Sequence, residues 1–261
     1  MMVDRHTGEV PHQQLRSPVS PIFLLLLAVT VCGGALATGQ TDLLITAGVV
    51  LLVLGGWAVS LCLHEFGHAA VAYRGGDTSV ANKGYLTLDI RRYLNPMLSF
   101  GLPLIFLIAG GIPLPGGAVW INNWAIPSRP IRSMVSLAGP LINLVLGIML
   151  AASVQLVAMP VGLLVGLSYL ALVQVLAFLL NILPVPGLDG FGVIEPYLSD
   201  QTRATADKIR PWAPLVFFVL LIGVPGVSSV LFEVGSVLFS WVGGSTQAAS
   251  VGYSQFLFWR R

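Results

Sequence analysis

From Ser133 to Leu188 the chain runs for 56 residues without one Asp, Glu, Lys, Arg or His. That is room for two bilayer-spanning helices at roughly 20 apolar residues each, with Met159-Pro160 and Gly162 as the natural turn between them. The whole sequence agrees: 56% of residues are hydrophobic and 9% charged, with a mean hydropathy of +0.86. A soluble domain carries about 25% charged residues, so an ordinary water-soluble fold is excluded, as are a disordered chain, a collagen and a coiled coil. The net charge is +2, and no basic cluster with interleaved aromatics is present, which argues against a nucleic-acid partner. Cys32 and Cys62 both lie in apolar runs and form no C-x-x-C. A disulfide framework and an all-thiolate metal site are therefore excluded.

Two further spans are expected at Ile22 to Thr38 and Leu43 to Leu63, joined by a polar turn around Gly39 to Asp42. Ala35-Leu36-Ala37 resembles a signal cleavage site. The residues before it are too long and carry no net positive charge, so a retained span is expected. The last apolar region, Pro211 to Gly244, is broken at Pro225-Gly226 and contains Glu233. It reads either as one long kinked span or as one span plus a shallower helix. Met97 to Ile121 is rich in Gly and Pro, and its apolar core, Phe100 to Ile112, is short for a span. It is expected to be re-entrant or half-spanning, followed by an extended stretch at Ala118 to Ile121. Irregular backbone at membrane depth persists only where protein or a wet cavity covers it. The expected fold is an all-α polytopic membrane protein with about five or six transmembrane helices plus a re-entrant or extended Gly/Pro-rich segment. Its expected parts are a polar tail at 1–20, a membrane-embedded domain at 21–244 and a C-terminal tail at 245–261.

If the Gly/Pro-rich segment returns to its own side, the charges sort by face. Arg5, Arg16, Arg74, Lys83, Arg91, Arg92, Arg129, Arg132, Arg203, Lys208 and Arg210 then share one face, whereas the turns at 39–42 and 159–162 hold no Lys or Arg. The positive-inside rule makes that face cytoplasmic, in a multi-pass protein of the cell membrane.

Two of the four histidines fall in His64-Glu65-Phe66-Gly67-His68. In a chain with so few His and Glu, H-E-x-x-H arises by chance roughly once per thousand such chains. Positions i and i+4 share one helix face, so both imidazoles reach one ion, and Glu65 is placed to take a proton from water there. The plainer reading is a solvated helix end. Against it, the motif directly continues an uncharged apolar run, where ionisable groups are costly and usually functional. A catalytic zinc takes three protein ligands and leaves a fourth position open. The other histidines, His6 and His12, lie in the polar tail, so a carboxylate is expected as the third ligand. Asp189 is the best candidate, because it ends the uncharged stretch behind Pro184 and Pro186 and is followed by Gly190. Glu195 is the runner-up. Asp189 follows the fourth span and His68 closes the second, so their meeting also requires the re-entrant reading of 100–112.

The chain resembles the site-2 protease family of intramembrane zinc metalloproteases. The matching features are His64-Glu65-Phe66-Gly67-His68, Ala138-Gly139-Pro140-Leu141-Ile142-Asn143, and Asn181-x-x-Pro184-x-Pro186-x-Leu188-Asp189-Gly190. The region around Leu94-Asn95-Pro96 and Gly116 to Asn122 also looks like compact prokaryotic members. The resemblance implies His64, His68 and Asp189 as ligands of one Zn2+ per chain. It implies Glu65 as general base and proton shuttle, and Asn181 as a polar group near the substrate backbone or oxyanion. Gly187 stands where the family usually has proline, and Phe191 where it often has a second glycine. The run Ala138-Gly139-Pro140 is expected to serve helix packing.

The expected function is hydrolysis of a peptide bond within or near a transmembrane helix of a membrane-protein substrate. Such a helix must unwind locally before water reaches a carbonyl, and the segment at 110–122 offers an extended edge to pair with it. Three other readings stay open on sequence grounds. A transporter or proton relay would use buried His and Glu but predicts two related halves. A membrane zinc protease could use Glu195 or Glu233 as third ligand, and a catalytically idle scaffold could keep the same residues. Zinc itself is inferred from donor type, since His₂-carboxylate sites accept other divalent ions.

Overall fold

The computed structural model describes residues 19–93, 119–224 and 226–260. Its helices are α1 (Pro21–Ala37), α2 (Asp42–Arg74), the single turns α3 (Ser79–Asn82) and α4 (Ile90–Tyr93), then α5 (Arg129–Leu156) and α6 (Val161–Asn181). They continue as α7 (Asp189–Ile194), α8 (Asp200–Ile209), α9 (Ala213–Gly223), α10 (Val227–Trp241) and α11 (Thr246–Phe256). Strands are absent among the described residues, and the protein is an all-α membrane protein. By length and composition α2, α5 and α6 can each cross a membrane, while α1 and α10 are shorter apolar helices.

Local chemistry sets the helix ends. Thr41 caps α2 by accepting from the Leu44 N–H at 3.3 Å, and Gly76, at φ +116°, turns the chain away after Arg74. Pro184 and Pro186 prevent α6 from continuing past Asn181. The region 211–244 is two helices, α9 and α10, broken before Gly226 at φ +93°.

Without a hydrophobic drive between helices in lipid, close approach depends on small residues. Gly33 faces the backbone of Leu51 and Leu52, Gly48 faces that of Leu36 and Ala37, and Gly55 faces Thr30, so α1 lies directly along α2. Helix α6 is the central element, packed against α1, α2, α5, α10 and α11, with Tyr169, Gln174, Leu176 and Leu180 fully buried. The stretch expected as a C-terminal tail is instead largely helix α11, part of the packed body. Gly252 brings it onto the Val165 carbonyl of α6, and Phe256 is fully buried, its ring 5.5 Å from that of Tyr169.

The long helices alternate in direction, so the turns at 38–41 and 157–160 lie at one end and the charged connections at the other. Hydrogen bonds knit that charged end together. Asn122 N–H donates to Asp77 at 2.7 Å, Lys83 Nζ to the Trp120 carbonyl at 2.8 Å, and Ser133 Oγ to the Val193 carbonyl at 2.7 Å. Ser20 Oγ joins them, donating to the Leu88 carbonyl at 2.9 Å. The chain on either side of 94–118 therefore sits at this same end. The expected re-entrant core, Phe100 to Ile112, lies outside the described residues, as do His6 and His12.

Candidate metal centre

His64 and His68 lie one turn apart on α2, on the face turned toward α5, and both are buried at 6% exposure. Their rings meet edge to face, with centroids 4.7 Å apart. Asp189, the first residue of α7, brings Oδ2 to 3.1 Å from His64 Nε2 and 3.5 Å from His68 Nε2, and the two Nε2 atoms are 3.1 Å apart. Ligand atoms on a tetrahedral zinc stand about 3.3 Å apart, so this spacing suits one ion. Among the described residues, these three form the only group of His, Cys, Asp or Glu able to hold a metal.

The far side of each imidazole is fixed. His64 Nδ1–H donates to Asn143 Oδ1 at 2.6 Å, and His68 Nδ1–H donates to the Val135 carbonyl at 2.6 Å. With the proton on Nδ1, each Nε2 keeps its lone pair for a metal. Asn143 in turn donates Nδ2–H to Gln174 Oε1 at 2.9 Å, and both amides are buried. Gly139 of α5 faces the two Nε2 atoms, and an added Cβ would come within 2.6 Å of His64 Nε2 and closer still to His68 Nε2. The packing role expected for this glycine is therefore also a clearance beside the imidazole tips.

The carboxylate reaches the site by backbone contacts. Gly187 takes φ +98°, and Gly190 lies against the carbonyls of Ile182 and Leu183, the latter 2.6 Å from where a Cβ would stand. Burial alone would raise Asp189, but the imidazoles of His68 and His64, when protonated, outweigh it and hold the carboxyl below the usual carboxylate range.

A cavity of about 470 Å³ opens here, lined by the triad together with Glu65, Asn181 and Val119. Glu65, at 3% exposure, shares the cavity lining with Val119. Residues 119–122 are non-helical, and Val119, Trp120 and Ile121 line the same cavity. Asn181 lines it as well, while donating Nδ2–H back to the Ala177 carbonyl at 3.0 Å. Glu195 is in the cavity wall but is ion-paired with Arg210 rather than with an imidazole. Glu233 is exposed on α10. Gln174 and the clearance at Gly139 escaped the sequence reading. A lone amide inside an uncharged stretch was the available signal for the first.

The chain is 46% identical over 245 residues to "Putative zinc metalloprotease Rip2" of Mycobacterium tuberculosis, covering 92% of this chain and 94% of that protein. It is 44% identical over the same length to the protein of that name from Mycolicibacterium smegmatis, with the same coverage. The chain belongs to the site-2 protease family. A more distant member, "Putative zinc metalloprotease YwhC" of Bacillus subtilis, is 34% identical over 176 residues, 63% of this chain and 77% of that protein. No family model and no solved structure matches the chain. In site-2 protease terms, the three motifs that carried the resemblance lie on α2, on α5, and on α6 with the turn behind it.

Proposed function

We propose that this chain is an intramembrane zinc metalloprotease that hydrolyses a peptide bond within or near a transmembrane helix of a membrane-protein substrate. The observation that carries the reading is the approach of two Nε2 atoms and one carboxylate oxygen within a few ångströms, beside buried Glu65, in a cavity at the charged end of an apolar bundle. His64, His68 and Asp189 would hold one zinc. The donor set, its spacing and the space left by Gly139 all suit that ion. Zinc bound there supplies Lewis acidity and lowers the pKa of water to about 7.

The chain's own residues do the rest. Glu65 takes the proton of the attacking water and later delivers it to the leaving amine. Asn181 keeps a second amide N–H beyond its bond to Ala177 and offers it to the developing oxyanion. The non-helical run 119–122 pairs with the locally unwound substrate. The Lys/Arg-rich end is cytoplasmic and the cavity opens toward it, in a multi-pass protein of the cell membrane.

The test is metal content by mass spectrometry on detergent-purified protein, joined to cleavage of a transmembrane peptide in vesicles. Wild type and Glu65→Gln should carry one zinc per chain, and His64→Ala and Asp189→Ala none. Glu65→Gln should cleave about 10²- to 10⁴-fold more slowly. Zinc retained in Asp189→Ala would move the third ligand elsewhere, and a wild type without zinc would overturn the protease reading.

A further inference from the structure

The two histidines are held differently on their far sides. His68 faces a backbone carbonyl, which only accepts, so its Nδ1 must carry the proton. His64 faces a side-chain amide, whose oxygen and nitrogen ends are nearly the same size and can exchange places by a half-turn. With the nitrogen end inward, Asn143 would donate to Nδ1 and the proton of neutral His64 would sit on Nε2, where no metal could bind. Something must choose the orientation.

We infer that Gln174 makes that choice: by accepting the Asn143 N–H it turns the Asn143 oxygen toward His64 and holds the imidazole in its metal-binding tautomer. Gln174 is a positioning residue, acting on the centre through Asn143 without touching it. The geometry is specific. The His64–Asn143 bond is 2.6 Å and the Asn143–Gln174 bond 2.9 Å, and Gln174, Asn143 and His64 are 1%, 4% and 6% exposed. Water therefore has little access to satisfy a flipped amide. The chain also crosses three helices, from α6 through α5 to α2, so the central helix sets the protonation of a residue on α2. In metal sites such outer partners are usually carboxylates or carbonyls that can only accept. Here an amide stands in that place, and the acceptor oxygen that Gln174 presents to it favours the orientation with the Asn143 oxygen inward.

The inference rests on His64, His68 and Asp189 being zinc ligands, and the experiment separates the two. Zinc affinity is measured by chelator competition on detergent-purified apoprotein, with no activity assay. Gln174→Met keeps the volume and removes the acceptor; it should weaken zinc binding by about 10- to 100-fold. Adding Asn143→Asp to that variant supplies a group that only accepts and should restore affinity to within about threefold. A packing role for Gln174 predicts no such rescue. Unchanged affinity in Gln174→Met, or a double variant as weak as the single one, overturns the inference. If Gln174→Met does not elute as a single species, Gln174→Glu, which keeps an acceptor, carries the test: affinity near wild type supports the inference and a tenfold loss overturns it. Wild type that binds no zinc, or Asp189→Ala that binds as wild type does, overturns the ligand reading instead.

Discussion

The two histidines and the aspartate reach the same point by different physics. His64 and His68 ride on a helix of 33 residues, and the helical repeat alone puts them on one face. Helices α1, α5 and α6 pack around α2 behind them. Asp189 arrives after a run held by turn hydrogen bonds, such as Val185 N–H to the Leu183 carbonyl and Leu188 N–H to the Val185 carbonyl. Its position depends on Gly187 at φ +98° and on Gly190 lying against backbone carbonyls. The helical half is fixed by side-chain periodicity and has neighbours that can adjust. The turn half is fixed by backbone contacts and has almost none.

This contrast orders the expected effects of single changes. Gly190→Ala should be the most damaging, because its Cβ meets carbonyls that cannot rotate away. A cost of about 3 kcal/mol is expected, with zinc lost, read from thermal unfolding and metal content in detergent. Gly187→Pro comes next. Proline requires φ near −65°, so the change should cost this chain about 1–3 kcal/mol. A neutral result would show that the turn half is as adaptable as the helical one. Gly139→Ala, which presses on imidazole tips rather than backbone, should cost about 1 kcal/mol of stability yet weaken zinc affinity by tenfold or more. Equal losses of stability at Gly139 and Gly190 would erase the distinction. Glu195→Gln should be mildest: its partner Arg210 is 40% exposed, so the pair contributes up to about 1 kcal/mol, and one zinc should remain.

The sequence was most informative where chemistry and periodicity coincide. His64, Glu65 and His68 announce themselves as ionisable groups at i, i+1 and i+4 in an apolar run, and Asp189 as the first charge after a long uncharged one. Helix α11 was not visible because it packs through Ala249 and Gly252, and small residues that admit a neighbouring backbone leave no hydrophobic signature. Gln174 was hidden for the opposite reason. Its polarity is plain, but its role appears only once α5 brings Asn143 between it and His64.

The separation of His68 from Asp189 along the chain also imposes a timetable on biosynthesis. Chains are made from the N-terminus onward, and a nascent chain that has inserted α1, α2 and α5 holds the imidazole pair but not the carboxylate. Until α6 has crossed and the turn behind it has emerged, the centre lacks a donor, and the Gln174 that orients His64 is absent too. Assembly of the site is thereby deferred until α6 and the turn behind it are in place, and a chain that stops short of Asp189 carries no finished metal centre into the bilayer.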